Sequence, residues 1–436
     1  MIKNSGQKLW GKALKIIQGG NMLLSKNPDL HLPGLWPTYF TKAKGCHVWD
    51  LNKNKLTDFS FMGIGTNILG YANSDIDNEV IKCIRKSVSS TLNCPEEVEL
   101  SKMLIEMHPW AQKVKLCRTG AEANSLAIRI ARSYAKNTKI AFCGYHGWHD
   151  WYMAANLSSK DSLGQHHLSG LSTVGVPKDL TNTIFSFKYN NINEFEEIIH
   201  KKKIGIVIME VKRNINPEKK FLNDIRFITK KKDIVLIFDE CTSGFRETFG
   251  GLHKKYNIEP DIAVFGKALG NGYAITAVIG KKKIMNSSKK SFISSTFWSE
   301  RIGPVAAIKT LEIMKDIKSW KIISTQGKKV KDGLEKLSKK YNLNISTFGL
   351  DSIISFKFNH NQNKLLKTFI TQEMLKQNYL ASTSIYLCID HNDKLIKDYL
   401  NKIEKIFCKI SSYINKDKLN NILDNKICED SFNRLN

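Results

Sequence analysis

The sequence predicts an α/β protein in two parts: a large unit with a mostly parallel β-sheet covered by helices, and a small α+β unit drawn from both chain ends. Three observations carry this expectation. Between about residues 57 and 314, short apolar runs alternate with helical stretches, the pattern of strand–helix repeats. The runs are rich in Ile and Val and apolar at successive positions, as in strands buried on both faces. Both chain ends carry hairpin and α+β patterns instead. The chain has 436 residues, 42% of them hydrophobic, ample for a large core.

In chain order, residues 1–56 form an N-terminal segment that joins the small unit. The stretch CHVWDLNKNKLTDF, at 46–59, reads as a hairpin turning at 52–54. The large unit, 57–314, holds strand candidates at 115–117, 140–143, 204–209, 234–238, 262–265 and 275–279. Helices are expected between them at 121–136 and 192–202. The C-terminal part, 315–436, carries helical patterns around 327–341 and 393–414, with short strands at 353–358 and 383–389.

Composition excludes several function classes. The net charge of +26 invites a nucleic-acid reading, but only nine of the 67 basic residues are Arg. The lysines cluster at 201–203, 230–232 and 281–283, each beside an apolar run, as solvated element ends do. No nucleic-acid motif is present, so no specific nucleic-acid partner is expected. The positive field still favours anionic substrates. No apolar run reaches the roughly 18–20 residues that span a bilayer, and the N-terminus lacks a long apolar h-region. The nine cysteines form no CxxC pair. They read as reduced thiols, which fits a cytoplasmic protein.

Four places carry candidate chemistry. Thr119, Gly120 and Ala121 lie between a short strand and a strong helix former, ANSLAIRIARSYAK. Free amides and the positive dipole end of a helix there suit a phosphate, although an ordinary capped turn has the same local pattern. Tyr145 and His146 follow the strand at 140–143, where open α/β sheets bind ligands. Tyr145 offers a ring face and His146 a hydrogen bond; simple loop packing is the rival account. His146 and His149 also invite a metal, but no third ligand or HExxH pattern accompanies them, so no metal is expected. Asp239 ends the apolar run IVLIFD, where a buried carboxylate calls for a positive partner such as a protonated pyridine nitrogen. A Mg²⁺-binding acid would need GxxxxGK[ST], which is absent. Lys267 follows the strand at 262–265 in the glycine-rich bend GKALGNG, where its amine is placed to form an imine with an aldehyde. Singly these are weak signals. In sequence order they make the set that pyridoxal phosphate (PLP) requires.

On these residues the chain resembles the class-III aminotransferases of PLP fold type I, and within them the glutamate-1-semialdehyde 2,1-aminomutases. The similarity runs from Gln18-Gly-Gly-Asn21 through 48–59 and Asn67-Ile-Leu-Gly70 to about Leu311. The resemblance implies pyridoxal 5'-phosphate as cofactor, with Thr119, Gly120 and Ala121 on its phosphate. Tyr145 would stack on the ring with His146 beside it, and Glu210 would match a strand-end Glu near the cofactor. Asp239 would pair with the ring nitrogen, and Lys267 would form the Schiff base. Thr296, in SSTFWSERIGP, matches a Thr that donates to the neighbouring subunit's phosphate, implying a homodimer with composite sites.

The implied reaction is ping-pong amino transfer, through pyridoxamine phosphate, from a small amino donor to a carbonyl acceptor. The alternative is an intramolecular aminomutase. Departures fall on the substrate side. The family's carboxylate-binding Arg near the N-terminus corresponds to Lys26, a point charge rather than a bidentate fork. The Glu-Pro pair is Glu210-Val211, followed by Lys212-Arg213-Asn214, and the usual GNP turn is replaced by 299–304. The stretch 381–386 lacks an expected acidic residue. The segment 150–177, with Gly164, Gly170 and Gly175, fits a lid or, equally, a passive surface loop.

Overall fold

The computed structural model describes residues 5–159, 162–164, 170–218, 220–416, 419 and 422–429. The chain divides into a small unit, residues 1–73 with 321–433, and a large unit spanning 74–320. These breaks lie beyond the ones expected after 56 and 314. Residues 55–59 stay with the small unit because they pair with strand 379–381 near the C-terminus. The helix Ile302–Ile317 stays with the large unit, against helices Ser74–Lys86 and Pro95–Met107.

Strands are numbered in chain order. The small unit supplies β1 (Phe40–Lys44), β2 (His47–Asp50) and β3 (Lys55–Phe59). The large unit follows with β4 (Lys113–Cys117), β5 (Ile140–Cys143), β6 (Ile184–Ser186), β7 (Ile206–Glu210), β8 (Val235–Asp239), β9 (Ile262–Phe265) and β10 (Thr276–Gly280). The small unit resumes with β11 (Ile345–Leu350), β12 (Ile353–Phe358), β13 (Tyr379–Ala381) and β14 (Ser384–Tyr386).

The large sheet has the order β4-β10-β9-β8-β7-β5-β6. Strand β10 runs antiparallel to both of its neighbours, and the pairs among β9, β8, β7, β5 and β6 are parallel. Strands β5, β7, β8 and β9 are buried at every residue. Successive side chains point to opposite faces. Ile206, Ile208 and Ile237 join Leu126, Ala127 and Ile130 of helix Gly120–Ala135 in one apolar cluster. Val207, Met209, Leu236 and Phe238 face the other way and are equally buried. Double coverage is therefore why these strands read as unbroken apolar runs. Because β5, β7, β8 and β9 are parallel, Cys143, Glu210, Asp239 and Phe265 all arrive at one sheet edge.

In the small unit, Asp50 closes the β2–β3 turn by accepting from the amides of Asn52 and Asn54, both at 2.8 Å. Its core gathers Phe59, Phe356, Phe369 and Phe407 with helix residues Val330, Leu334, Ile403 and Ile406. The strand expected over 383–389 covers only β14. Beyond it, the Cys388 amide donates to His391 Nδ1 at 3.0 Å, which turns the chain.

Candidate active site

Helix Gly120–Ala135 begins with a capping box that fixes its first turn. The Glu122 amide donates to the Thr119 hydroxyl at 3.4 Å, and the Thr119 amide donates to the Glu122 carboxylate at 3.2 Å. The amides of Gly120 and Ala121 have no carbonyl four residues back within the helix, so they remain as donors for an anion. A side chain at 120 would point toward Cys241, whose Sγ lies 3.3 Å from the ideal Cβ position. The helix N-terminus therefore abuts the loop that follows Asp239.

The turn after β5 is shaped by two glycines with left-handed φ, Gly144 at 120° and Gly147 at 110°. Cβ atoms there would come within 2.7 Å of the Glu210 carboxylate and 2.6 Å of the Ala121 Cβ, respectively. This closeness lets the Tyr145 amide donate to Glu210 at 3.1 Å. Glu210 and Asp239 are direct neighbours in the β7–β8 register.

Asp239 is buried and accepts three donors. His146 Nδ1 lies 2.8 Å and Asn124 Nδ2 2.7 Å from one oxygen, and the Cys241 amide lies 3.0 Å from the other. Burial alone would raise its pKa, but these donors outweigh burial and hold the carboxyl below its usual range. An ionised carboxylate with acceptor capacity left on its second oxygen suits a protonated ring nitrogen.

Lys267 sits two residues past β9, at φ 45°, a strained conformation for a non-glycine residue. Its Nζ donates to the Thr242 hydroxyl at 2.8 Å, three residues beyond Asp239. Burial first, then the Arg213 and Arg246 guanidinium groups, lower its pKa to about 8. The amine is thereby shifted toward the neutral, nucleophilic form. Arg213 also pairs with Glu210, Nη1 to carboxylate oxygen at 3.3 Å, and lies 5.8 Å from the centre of the Tyr145 ring.

Thr119, Gly120, Ala121, Tyr145, His146, Glu210, Asp239 and Lys267 thus lie at one end of the large sheet. Thr296 is exposed, in a turn held on the same unit. Arg118 donates to the carbonyls of Phe297 at 2.7 Å and Glu300 at 2.5 Å, and Trp298 donates to Glu122 at 2.6 Å. Lys26 belongs to the small unit, in the turn Leu24–Lys26. No cluster with metal-ligand geometry occurs among the described residues. Of the 150–177 segment, residues 160–161 and 165–169 lie outside the described residues.

Three contributors carried little sequence signal. Asn124 is a buried polar residue on an apolar helix face, its one clue. Thr242 is an unremarked hydroxyl in a loop. Arg213 stood out only as a departure from the family pattern.

The residues fit PLP: a buried strand-end carboxylate, a lysine with a depressed pKa, and a capped helix N-terminus converge. Comparisons with known proteins agree. The sequence profile of the class-III aminotransferases matches residues 34–406. The 3-aminobutyryl-CoA aminotransferase of Cloacimonas acidaminovorans is 31% identical over 88% of this chain and 92% of its own. The glutamate-1-semialdehyde 2,1-aminomutase of Nitrosopumilus maritimus is 37% identical over 72% of this chain and 74% of its own. Among solved structures, an omega-transaminase from Sphaerobacter thermophilus superposes with a TM-score of 0.83 at 20% identity, covering 94% of this chain and 98% of its own. The fold and the assembled site define an amino-transferring enzyme of the PLP type-I fold. The chain belongs to the class-III aminotransferases.

Proposed function

We propose that this protein transfers an amino group from a small amino donor to a separate carbonyl acceptor, using pyridoxal 5'-phosphate attached at Lys267. The observation that carries this reading is the pairing of two groups at adjacent strand ends. Asp239 is held ionised, and the Lys267 amine, on the neighbouring β9 end, has its pKa lowered to about 8. PLP supplies an aldehyde carbon that exchanges amines and a ring that accepts an electron pair from the substrate carbon.

The chain's own groups do the rest. The Gly120 and Ala121 amides and the Thr119 hydroxyl bind the phosphate. The Tyr145 ring would cover the cofactor ring, and Glu210 holds the Tyr145 turn in place. Asp239, positioned by His146 and Asn124, keeps the ring nitrogen protonated. The Lys267 amine would move the proton off and onto the substrate carbon as a general base and acid. Thr296 is exposed next to Phe297, which is 72% exposed. That exposure supports a homodimer in which Thr296 reaches the partner's phosphate. Nine free cysteines support a cytoplasmic location.

An intramolecular aminomutase is the second reading, favoured by the 37% identity to a glutamate-1-semialdehyde aminomutase. Lys26 in place of an arginine favours the intermolecular one. Borohydride treatment of the PLP-loaded protein should fix the cofactor's mass on the peptide containing Lys267, and Lys267→Ala should abolish it. A wild type with no label at Lys267 sinks the proposal. Stoichiometric release of keto acid from the donor separates a transferase from a mutase, which releases no second product.

A further inference from the structure

Arg118 directly precedes the turn 119–121, yet its guanidinium is spent on a loop almost 180 residues away. Nε donates to the Phe297 carbonyl at 2.7 Å, and Nη2 donates to the carbonyls of Trp298 and Glu300 at 3.2 and 2.5 Å. Nη2 also lies 3.4 Å from the Glu300 carboxylate, which accepts from the Ile302 and Gly303 amides at the start of the next helix. Glu122 makes the return link. Its carboxylate accepts from the Arg118 amide at 2.9 Å, the Thr119 amide at 3.2 Å and the Trp298 indole at 2.6 Å. Two side chains thus tie the first turn of helix Gly120–Ala135 to the turn Thr296–Ser299 in both directions. The tied turn has little else to fix it, because residues 294–297 are all exposed. A planar guanidinium can serve several carbonyls at once, which a lysine's point charge cannot. Gly303 leaves it room: a Cβ there would come within 2.7 Å of Arg118 Nη1.

We propose that Arg118 is a positioning residue that acts across the dimer: by fixing the Thr296 turn of its own subunit, it completes the phosphate site of the other. This rests on the PLP and homodimer readings above. Arg118 itself touches no cofactor. Without it, the carbonyls of residues 297, 298 and 300 turn to water and Thr296 samples many positions. Binding of the phosphate must then order the turn, and that ordering weakens affinity. The site that suffers is the one Thr296 reaches, not the one beside Arg118.

Mixed dimers test this. Two full-length chains with different affinity tags are co-expressed, and the heterodimer is purified through both tags. One chain carries Lys267→Ala, so borohydride fixes cofactor only on the other chain's Lys267. Label measured against PLP concentration gives the affinity of that single site. Arg118→Gln on the Lys267→Ala chain should weaken it about ten- to a hundred-fold, the worth of one hydrogen bond to a charged group. Arg118→Gln on the labelled chain should leave it unchanged. Arg118→Lys on the Lys267→Ala chain should recover part of the loss. Thr296→Ala on that chain should match Arg118→Gln, and combining the two should add nothing further. Trp298→Phe keeps the ring and deletes only the donor to Glu122; it should show the same asymmetry, and it decides the matter if Arg118→Gln does not fold. The opposite asymmetry, or equal loss from either chain, makes Arg118 a support of its own phosphate turn and overturns the proposal. An unchanged affinity in both arrangements overturns it too. The premises fail separately: no borohydride-fixed label on wild-type Lys267 for the PLP reading, and a monomer in sedimentation for the dimer.

Discussion

Asp239 shows how a buried charge becomes usable. Three donors hold it ionised against the cost of burial, and two of them, His146 and Asn124, are themselves buried. Asp239→Asn keeps the shape but presents an amide donor to groups that already donate. The expected result is a fall of about 10² to 10³ in the rate of amine exchange, with cofactor still fixed on Lys267. Stopped-flow absorbance measures this directly. Lys267 carries the pH dependence. Its folded-state pKa is lowered to about 8, so the neutral amine is lost as pH falls through that value. The rate at which apoprotein captures PLP should rise with pH and level off above about 8, not above about 10 as for a free lysine. Since Arg213 is the second cause of the shift after burial, Arg213→Gln should move this midpoint upward. A pH-rate profile of capture for both proteins decides the point.

The site's elements are held by backbone approaches that side chains would block. At Gly147 a Cβ would meet Ala121 at 2.6 Å, with φ at 110° besides, so Gly147→Ala combines backbone strain with a clash against the first turn of helix Gly120–Ala135. It should cost about 1–3 kcal/mol or more in chemical denaturation. Gly120→Ala meets only Cys241 Sγ at 3.3 Å, so it should leave stability nearly unchanged and weaken PLP binding instead. In the small unit, helix propensity favours Gly327→Ala by about 1 kcal/mol. Packing reverses that sign, because a Cβ at 327 would fall 1.5 Å from the Asp351 carbonyl oxygen. A raised melting temperature in Gly327→Ala would contradict this packing. Of the C-terminal helices, Ser319–Lys340 and Asp393–Asn415 were legible in part from the sequence and Asn363–Leu375 was not; the reason for Gly327 was not legible either, because its neighbour lies on the turn between β11 and β12.

At the scale of the whole molecule, buried histidines set the acid limit. Burial lowers His31, His108 and His391 each to about 4. Unfolded histidine binds its proton near 6.5, so between about 6.5 and 4 the unfolded chain binds more protons. Their contribution is complete above 6.5 and is lost as pH falls toward 4. Asp58, raised by burial, acts in the opposite sense within the small unit. Denaturant midpoints should therefore drop steeply across this window, and replacing His108 by Gln should flatten the drop. Sheet architecture is the other whole-molecule property. The mostly parallel order was readable because strands covered on both faces are apolar throughout. The reversal of β10 was not, since a strand buried on both faces looks the same in either direction.

The sequence by itself placed most strands of the large sheet, with Asp239 and Lys267 at or just past strand ends, because these follow from local runs of residue types, and its ordered motifs carried the resemblance to the family and its cofactor; β1, β6, β11 and β13 were not read. The tertiary structure alone decided what surrounds Asp239 and Lys267. Asn124 meets Asp239 across 115 residues, His146 meets it across 93, and Arg213 comes to face Tyr145 from the loop after β7. Such meetings depend on which strands are neighbours and in what register, and no local pattern encodes that.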